Sequence, residues 1–263
     1  SDLTPIQRAV PIEAEGIVGT LNSLLERVSR RISSKDEFIS NAAHQLRNPI
    51  AGVLALAEAV QNAHTPKATS QRSKELVLAA RDEAHLANQL MSFERARGSD
   101  TDRTGQEFDL IDLAHDTVQR FRQQHTHALS EIELAVHLPD TPVIVFGDKL
   151  MLEEALLNIL TNALVHGGSN LSKIAVKLVL RQRDAVLTIS DDGAGIAPDQ
   201  HERAMSRFGQ TNAGPGSGLG LPIAVRVAQN HGGSLSFADY YPGLSVILTV
   251  QSYRRDHQQD QAI

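Results

Sequence analysis

The chain has 263 residues, a net charge of -6 and a pI near 6.0. That length suits one or two domains, and the acidic balance argues against a general nucleic-acid binder, which carries a basic face. With no cysteine, disulfides, thiolate metal sites and thiol catalysis are excluded, while 41% hydrophobic but only 4% aromatic residues leave aliphatic side chains to build the core.

There is no signal-peptide pattern and no run of about 18 apolar residues, so the chain reads as soluble. Its abrupt start inside a helical pattern is the mark expected of a fragment. From residue 18 the apolar positions step by three and four: Val18, Leu21, Leu25, Val28, Ile32, then Lys35 as an exception, then Ile39, Ala42, Leu46, Pro49, Val53, Leu56 and Val60. This is a heptad seam. A helix of that length spans about 60 Å at about 1.5 Å per residue, and it needs partner helices to cover so narrow a stripe.

With Val18 at heptad position a, His44 falls at f, facing solvent on a rigid helix, where a side chain that must meet another domain belongs. An ordinary surface histidine is the other reading, since the chain holds 11 histidines. Pro49 lies on the seam five residues later. It offers no N–H to the carbonyl of Gln45 and crowds it, at a cost of about 3 kcal/mol in a helix interior. A local kink or opening next to His44 is therefore expected. Asn48 shares the face of His44, one turn on.

Residues 62–70 interrupt the seam with polar side chains and Pro66. A second seam follows at Leu76, Ala79, Glu83, Leu86, Leu90 and Phe93. The pair reads as an antiparallel hairpin, and two hairpins from two chains would make a four-helix bundle. A monomeric hairpin packed on the rest of the chain is the alternative.

A polar linker spans 97–105. Beyond it the pattern predicts helices at 110–124, 150–166 and 219–229, and strands at 132–138, 143–146, 174–180, 185–190, 235–238 and 245–250. Helices mixed with mostly antiparallel strands point to an α+β sandwich. In the second of these helices Glu154, Asn158 and Asn162 recur every four residues as one polar stripe. The stripe is either an exposed face or a set of oxygen donors for a hydrated magnesium and its phosphates. Asp191-Asp192-Gly193-Ala194-Gly195-Ile196 follows a strand, so a carboxylate there suits an exocyclic amine. Gly216-Ser217-Gly218-Leu219-Gly220-Leu221 leads into a helix with Pro222 in its first turn, which suits phosphate. Each glycine-rich turn alone also reads as a plain loop.

Residues 38–53, FISNAAHQLRNPIAGV, resemble the H box of sensor histidine kinases. Downstream, GDKLMLEEALLNILTNALVHG resembles the N box of that family, DDGAGI its G1 box and GSGLGL its G2 box, in the same order. These last three are similar to the Bergerat-type ATP-binding domain that histidine kinases share with the Hsp90 chaperone and MutL.

The resemblance implies a long helical hairpin forming a dimeric four-helix bundle, followed by an α/β-sandwich ATP-binding domain. The expected layout is a HAMP-like remnant and signalling helix at 1–30, a dimerisation and phosphotransfer hairpin at 31–98, a linker at 99–105, a catalytic domain at 106–253 and a polar tail at 254–263. It further implies that His44 takes the γ-phosphate of ATP with Mg²⁺ and passes it to an aspartate on a response-regulator receiver domain. Asn48 would position water for dephosphorylating that partner, and Glu154 would accept a proton. Asn158 would ligate magnesium and Asn162 would contact phosphate. Asp191 would bind the adenine amine, and His166 would line the site. Gly193, Gly195, Gly218, Leu219 and Gly220 would shape the pocket and lid. The parent protein would sit on the cytoplasmic side of the bacterial inner membrane, anchored by an N-terminal part not included here.

Four departures qualify the likeness. Gln45 stands where most of the family has Glu or Asp; its amide can fix the tautomer of His44 but cannot act as a base. Val165 replaces a frequent Lys. Met205-Ser206-Arg207-Phe208 blurs a Phe-rich box, and the lid, 210–217, is short. Gln45 and Val165 motivate the alternative of a pseudokinase or phosphatase-biased regulator. An ATPase of the chaperone or mismatch-repair type is a third reading, which leaves the H box unexplained.

Overall fold

A computed structural model describes residues 11–98, 105–206, 208–209, 218–239 and 242–253. Within the first helix it leaves out some side chains, those of His44, Gln45 and Asn48 among them. The chain divides into two compact units, residues 1–87 and 88–263, and the division falls inside the second helix.

In the first unit, α1 runs from Ile12 to Gln61, assigned as helix straight through Pro49. The second helix, α2, spans Pro66–Gly98. The break between them is only 62–65 rather than the expected 62–70. Pro66 opens α2, where a missing N–H costs nothing. The Thr65 hydroxyl accepts a bond from the Ala68 amide at 3.3 Å, so the polar run becomes a capped first turn. Arg72 donates to the carbonyl oxygen of Ala59 at 2.7 Å. That contact requires α2 to return alongside α1, as an antiparallel hairpin. None of the described residues of this unit is fully buried. Ile50, Leu54, Val77 and Leu78 remain 54%, 60%, 50% and 60% exposed. Among the described residues, one hairpin therefore closes no core of its own. Among the described residues no helix is long and apolar enough to cross a membrane.

The second unit begins with the end of α2 and continues with β1 (Gln106–Asp109), α3 (Leu110–Gln124), β2 (Glu133–His137), β3 (Ile144–Gly147) and α4 (Lys149–His166). Then come β4 (Lys173–Arg181), β5 (Asp184–Asp191), α5 (His201–Met205), α6 (Gly220–Asn230), β6 (Ser234–Asp239) and β7 (Leu244–Gln251). Five strands form one sheet in the order β2-β4-β5-β7-β6. Only β2 and β4 run parallel within it. The alternation of the strands turns Ile174, Val176, Leu178, Ala185, Leu187, Ile189, Val246 and Leu248 inward, where they meet the buried faces of the helices. The helical layer is α3, α4 and α6, with α4 packed against both of the others. This is a two-layer α/β sandwich. Asp109 caps α3 through a bond from the Ile111 amide at 2.9 Å and also accepts from the Val143 amide at 3.1 Å. Asp148 caps α4 by accepting from the Met151 amide at 3.1 Å. Among the described strands and α-helices, two have no counterpart in the sequence reading: β1, paired antiparallel with β3, and α5. At four and five residues they are too short to show a period.

Candidate functional site

Three segments of the second unit converge. The first is the polar side of α4. Asn158 is 6% exposed, and its carboxamide oxygen accepts from the Gln89 side-chain amide at 3.2 Å. Its own Nδ2 is buried with no partner among the described atoms. One turn to either side, Glu154 and Asn162 are half-buried.

The second is the start of α6. A Cβ on Gly220 would lie 3.5 Å from the Cβ of Asn158, so the first turn of α6 rests on the polar stripe. Leu219, which precedes that turn, is fully buried and contributes to the core. Among the described residues no side chain caps α6 at its N-terminus; Pro222 has no N–H and the Ile223 amide bonds the Leu219 carbonyl, which leaves the Gly220 and Leu221 amides as the donors suited to an anion. Gly218 takes φ +68, and its carbonyl accepts from the Phe208 amide at 3.1 Å. This bond ties together the two ends of the lid segment; residues 210–217 themselves lie outside the described residues.

The third is the turn after β5. Asp191 is 6% exposed and accepts from the Gly193 amide at 3.0 Å. Burial pushes its carboxyl above the usual range, with the Gly193 N–H opposing. The neighbouring Asp192 is committed to the loop. It accepts from the amides of Ser172 and Lys173 at 2.9 and 2.8 Å and from the Ser172 hydroxyl at 2.5 Å. Slight burial works to raise its pKa, but those bonds outweigh it and hold the carboxyl low. Gly193 is required by contact: a Cβ there would stand 2.3 Å from the carbonyl oxygen of Gly167, and the Ala194 amide donates to that same oxygen at 2.8 Å. Gly195 adopts φ +69, and a Cβ on it would lie 2.8 Å from the Gly243 carbonyl oxygen. His166, the last residue of α4, is exposed as a residue. Its ring is nevertheless crowded enough for desolvation to lower its pKa.

Two residues near this constellation carry no sequence signal. Gln89 reaches Asn158 across 69 residues of chain. His201 holds the turn from below: its Nε2 bonds the Ile196 carbonyl at 3.0 Å, and its ring packs on Phe237 with centroids 4.8 Å apart. His44, Gln45 and Asn48 lie on α1, with side chains outside the described part of the structure.

An acceptor for an amine at a strand end, an amide stripe and a helix N-terminus resting on that stripe are the parts of an ATP-binding sandwich. Residues 147–254 match the model of the histidine kinase-, DNA gyrase B- and HSP90-like ATPases. Residues 34–98 match the His Kinase A (phospho-acceptor) domain. With both domains in this order, the chain belongs to the sensor histidine kinases of two-component systems. It is 29% identical over 252 residues to the sensor protein kinase PmrB of Pseudomonas aeruginosa, covering 94% of this chain and 52% of that protein. It is 26% identical over 246 residues to the sensor-like histidine kinase SenX3 of Mycobacterium tuberculosis, covering 89% of this chain and 59% of that one. The chain thus spans little more than half the length of these curated relatives. Among solved structures, histidine kinase ThkA in complex with the response regulator protein TrrA superposes with a TM-score of 0.67 at 19% identity, over 86% of this chain and 64% of that one.

Proposed function

We propose that the chain phosphorylates itself on His44 from ATP and hands the phosphoryl group to an aspartate of a response-regulator receiver domain. The observation that carries this reading is the convergence of Asp191, Asn158 and the first turn of α6, in a chain whose phosphoacceptor-domain match surrounds His44. Asp191 accepts from the adenine amine. The N–H groups opening α6 face the phosphates, where helix ends favour negative charge.

Magnesium fits the donor set. The stripe of Glu154, Asn158 and Asn162 offers oxygens only, as Mg²⁺ prefers, and the orphaned Nδ2 of Asn158 gains an acceptor when a phosphate oxygen arrives. When bound, the cation neutralises phosphate charge. The chain supplies the rest. A ring nitrogen of His44 attacks the γ-phosphorus in line, an N–P bond forms, the bond to the β,γ-bridging oxygen breaks and ADP leaves. The ring proton passes to a base, for which Glu154 is the candidate because the Gln45 amide cannot serve. In the second step the receiver carboxylate attacks the phosphorus and His44 is regenerated. Asn48 orients a water for the reverse, dephosphorylating role.

The hairpin pairs with a second copy, which would close the core that one chain leaves open. The likeness to ThkA, recorded with its response regulator, supports a receiver domain as the partner. In the full-length protein the domains lie on the cytoplasmic side of the membrane.

Incubation with γ-labelled ATP and Mg²⁺ tests the reading. Acid-labile, base-stable label is expected, abolished in His44→Ala and reduced at least about tenfold in Asp191→Asn, where a charge-assisted bond is lost. Label that survives His44→Ala would refute the assignment. A chain that binds ATP yet never becomes labelled would instead be the phosphatase-biased regulator that Gln45 and Val165 favour.

A further inference from the structure

We infer that Gln89 is a built-in competitor for the metal at Asn158, so that loading Mg²⁺ with nucleotide and releasing the end of α2 are coupled. The inference rests on the nucleotide-site reading above. It begins from where residues 88–98 lie. Although they complete a helix that starts in the other unit, they fold with the second unit, and Gln89, Leu90, Ser92 and Ala96 are all buried, at 8%, 8%, 4% and 1% exposure. Hydrogen bonds help to fasten them. Asn230, the last residue of α6, donates to the Ala96 carbonyl at 2.7 Å, and Gln89 donates to Asn158 at 3.2 Å.

The second bond falls on a chemically particular atom. A carboxamide has one oxygen and one nitrogen, and only the oxygen can ligate a hard cation. Gln89 places an N–H donor on that oxygen. An N–H hydrogen and Mg²⁺ seek the same lone pairs at close range, and a positive donor dipole facing the cation repels it. Meanwhile Asn158 Nδ2 is left buried without an acceptor among the described atoms, a penalty that a phosphate oxygen would relieve. The resting arrangement thus satisfies the ligand oxygen with the wrong partner and leaves the phosphate donor idle. Occupancy by nucleotide and metal reverses both. Nucleotide without metal needs only the second change, so Gln89 acts on the metal term and not on adenine recognition at Asp191.

Titration of the full chain with Mg²⁺ at fixed fluorescent ATP analogue, followed by fluorescence, tests this. In Gln89→Met, which keeps bulk and removes the donor, the Mg²⁺ midpoint is expected to fall about five- to tenfold, the worth of one buried hydrogen bond, while affinity measured in EDTA stays within about twofold. Gln89→Leu serves as the second variant, with circular dichroism confirming the fold. In the wild type, amide hydrogen exchange across 88–98 is expected to rise when Mg²⁺ joins the nucleotide and not with nucleotide alone. An unchanged or higher Mg²⁺ midpoint in both variants, or exchange indifferent to Mg²⁺, overturns the competition and leaves the nucleotide site standing. A wild type that binds no nucleotide under any condition overturns the site reading itself.

Discussion

His231 shows how one side chain sets a pH dependence. It is 8% exposed at the end of α6. Its Nδ1–H donates to the Val227 carbonyl at 2.7 Å, and its Nε2 accepts from the Asp148 amide at 3.0 Å. The Asp148 bond needs the neutral ring, because a proton on Nε2 would face the Asp148 N–H. Desolvation lowers the pKa from its ordinary 6.5, with the Val227 bond and the Asp148 charge opposing. The unfolded chain therefore takes up a proton at a pH where the folded chain still resists it. The contribution to stability is present above about pH 6.5 and lost as pH falls through the lowered folded value. Urea melts should show wild-type stability falling more steeply than that of His231→Gln between about pH 7.5 and pH 5.5; parallel curves would show that this ring is not the source. His231→Ala, which orphans the Asp148 amide, is expected to cost about 1–3 kcal/mol. None of this was legible in the sequence, where His231 is one histidine of 11 and its partner lies 83 residues away. Asp191 was legible for the opposite reason: a carboxylate at a strand end before alternating glycines is a local pattern, although only the folded chain shows Asp191 turned inward and Asp192 spent on Ser172 and Lys173.

At the scale of elements, among the described residues the apolar period located every helix longer than five residues and six of the seven strands, because burial on one face imprints itself along the chain. The elements it passed over, β1 and α5, are held by neighbours rather than by a face of their own. The start of α2 shifted because Thr65 and Pro66 form a helix opening, a stronger local instruction than the polarity around them. The seam of α1 stays uncovered in one chain, with Leu21, Val28 and Ile32 at 42%, 43% and 45% exposed; beside the seams, Leu54 of α1 and Leu78 of α2 are more exposed still, at 60% each. A second copy of the hairpin would bury them at about 25 cal/mol per Å² of apolar surface. Leu54→Asp and Leu78→Asp place an unpaired charge in that interface, which costs several kcal/mol. Each is expected to weaken dimerisation at least about a hundredfold in sedimentation velocity. Dimers that persist in both variants would place the interface on another face.

The molecule as a whole contains two units that differ in what stabilises them. Residues 88–263 have a closed core of their own, from Leu110 and Phe121 through Leu156 and Ile189 to Val250. Residues 1–87 show no fully buried residue among those described, so their stability should come from association. Two independent sources of stability predict two calorimetric transitions rather than one. The helical transition should move to lower temperature on dilution, because the proposed pairing of two hairpins makes folding and dimerisation there one event. The catalytic transition should ignore dilution and respond to ligand. Nucleotide with Mg²⁺ at about a hundred times its dissociation constant adds about 2.7 kcal/mol to whatever it binds. For a domain of roughly this size, each kcal/mol raises the midpoint by about 2–4 °C, so a shift of about 5–10 °C is expected in that transition. The helical one should move far less, and only by as much as the release of residues 88–98 from the catalytic unit alters it. In Gln89→Met this residual shift should shrink, because the helix end is no longer exchanged for the metal. A single transition that moved with both dilution and nucleotide would mean the two units fold as one, and the separation of a self-sufficient ATP module from an association-dependent stalk would fall with it.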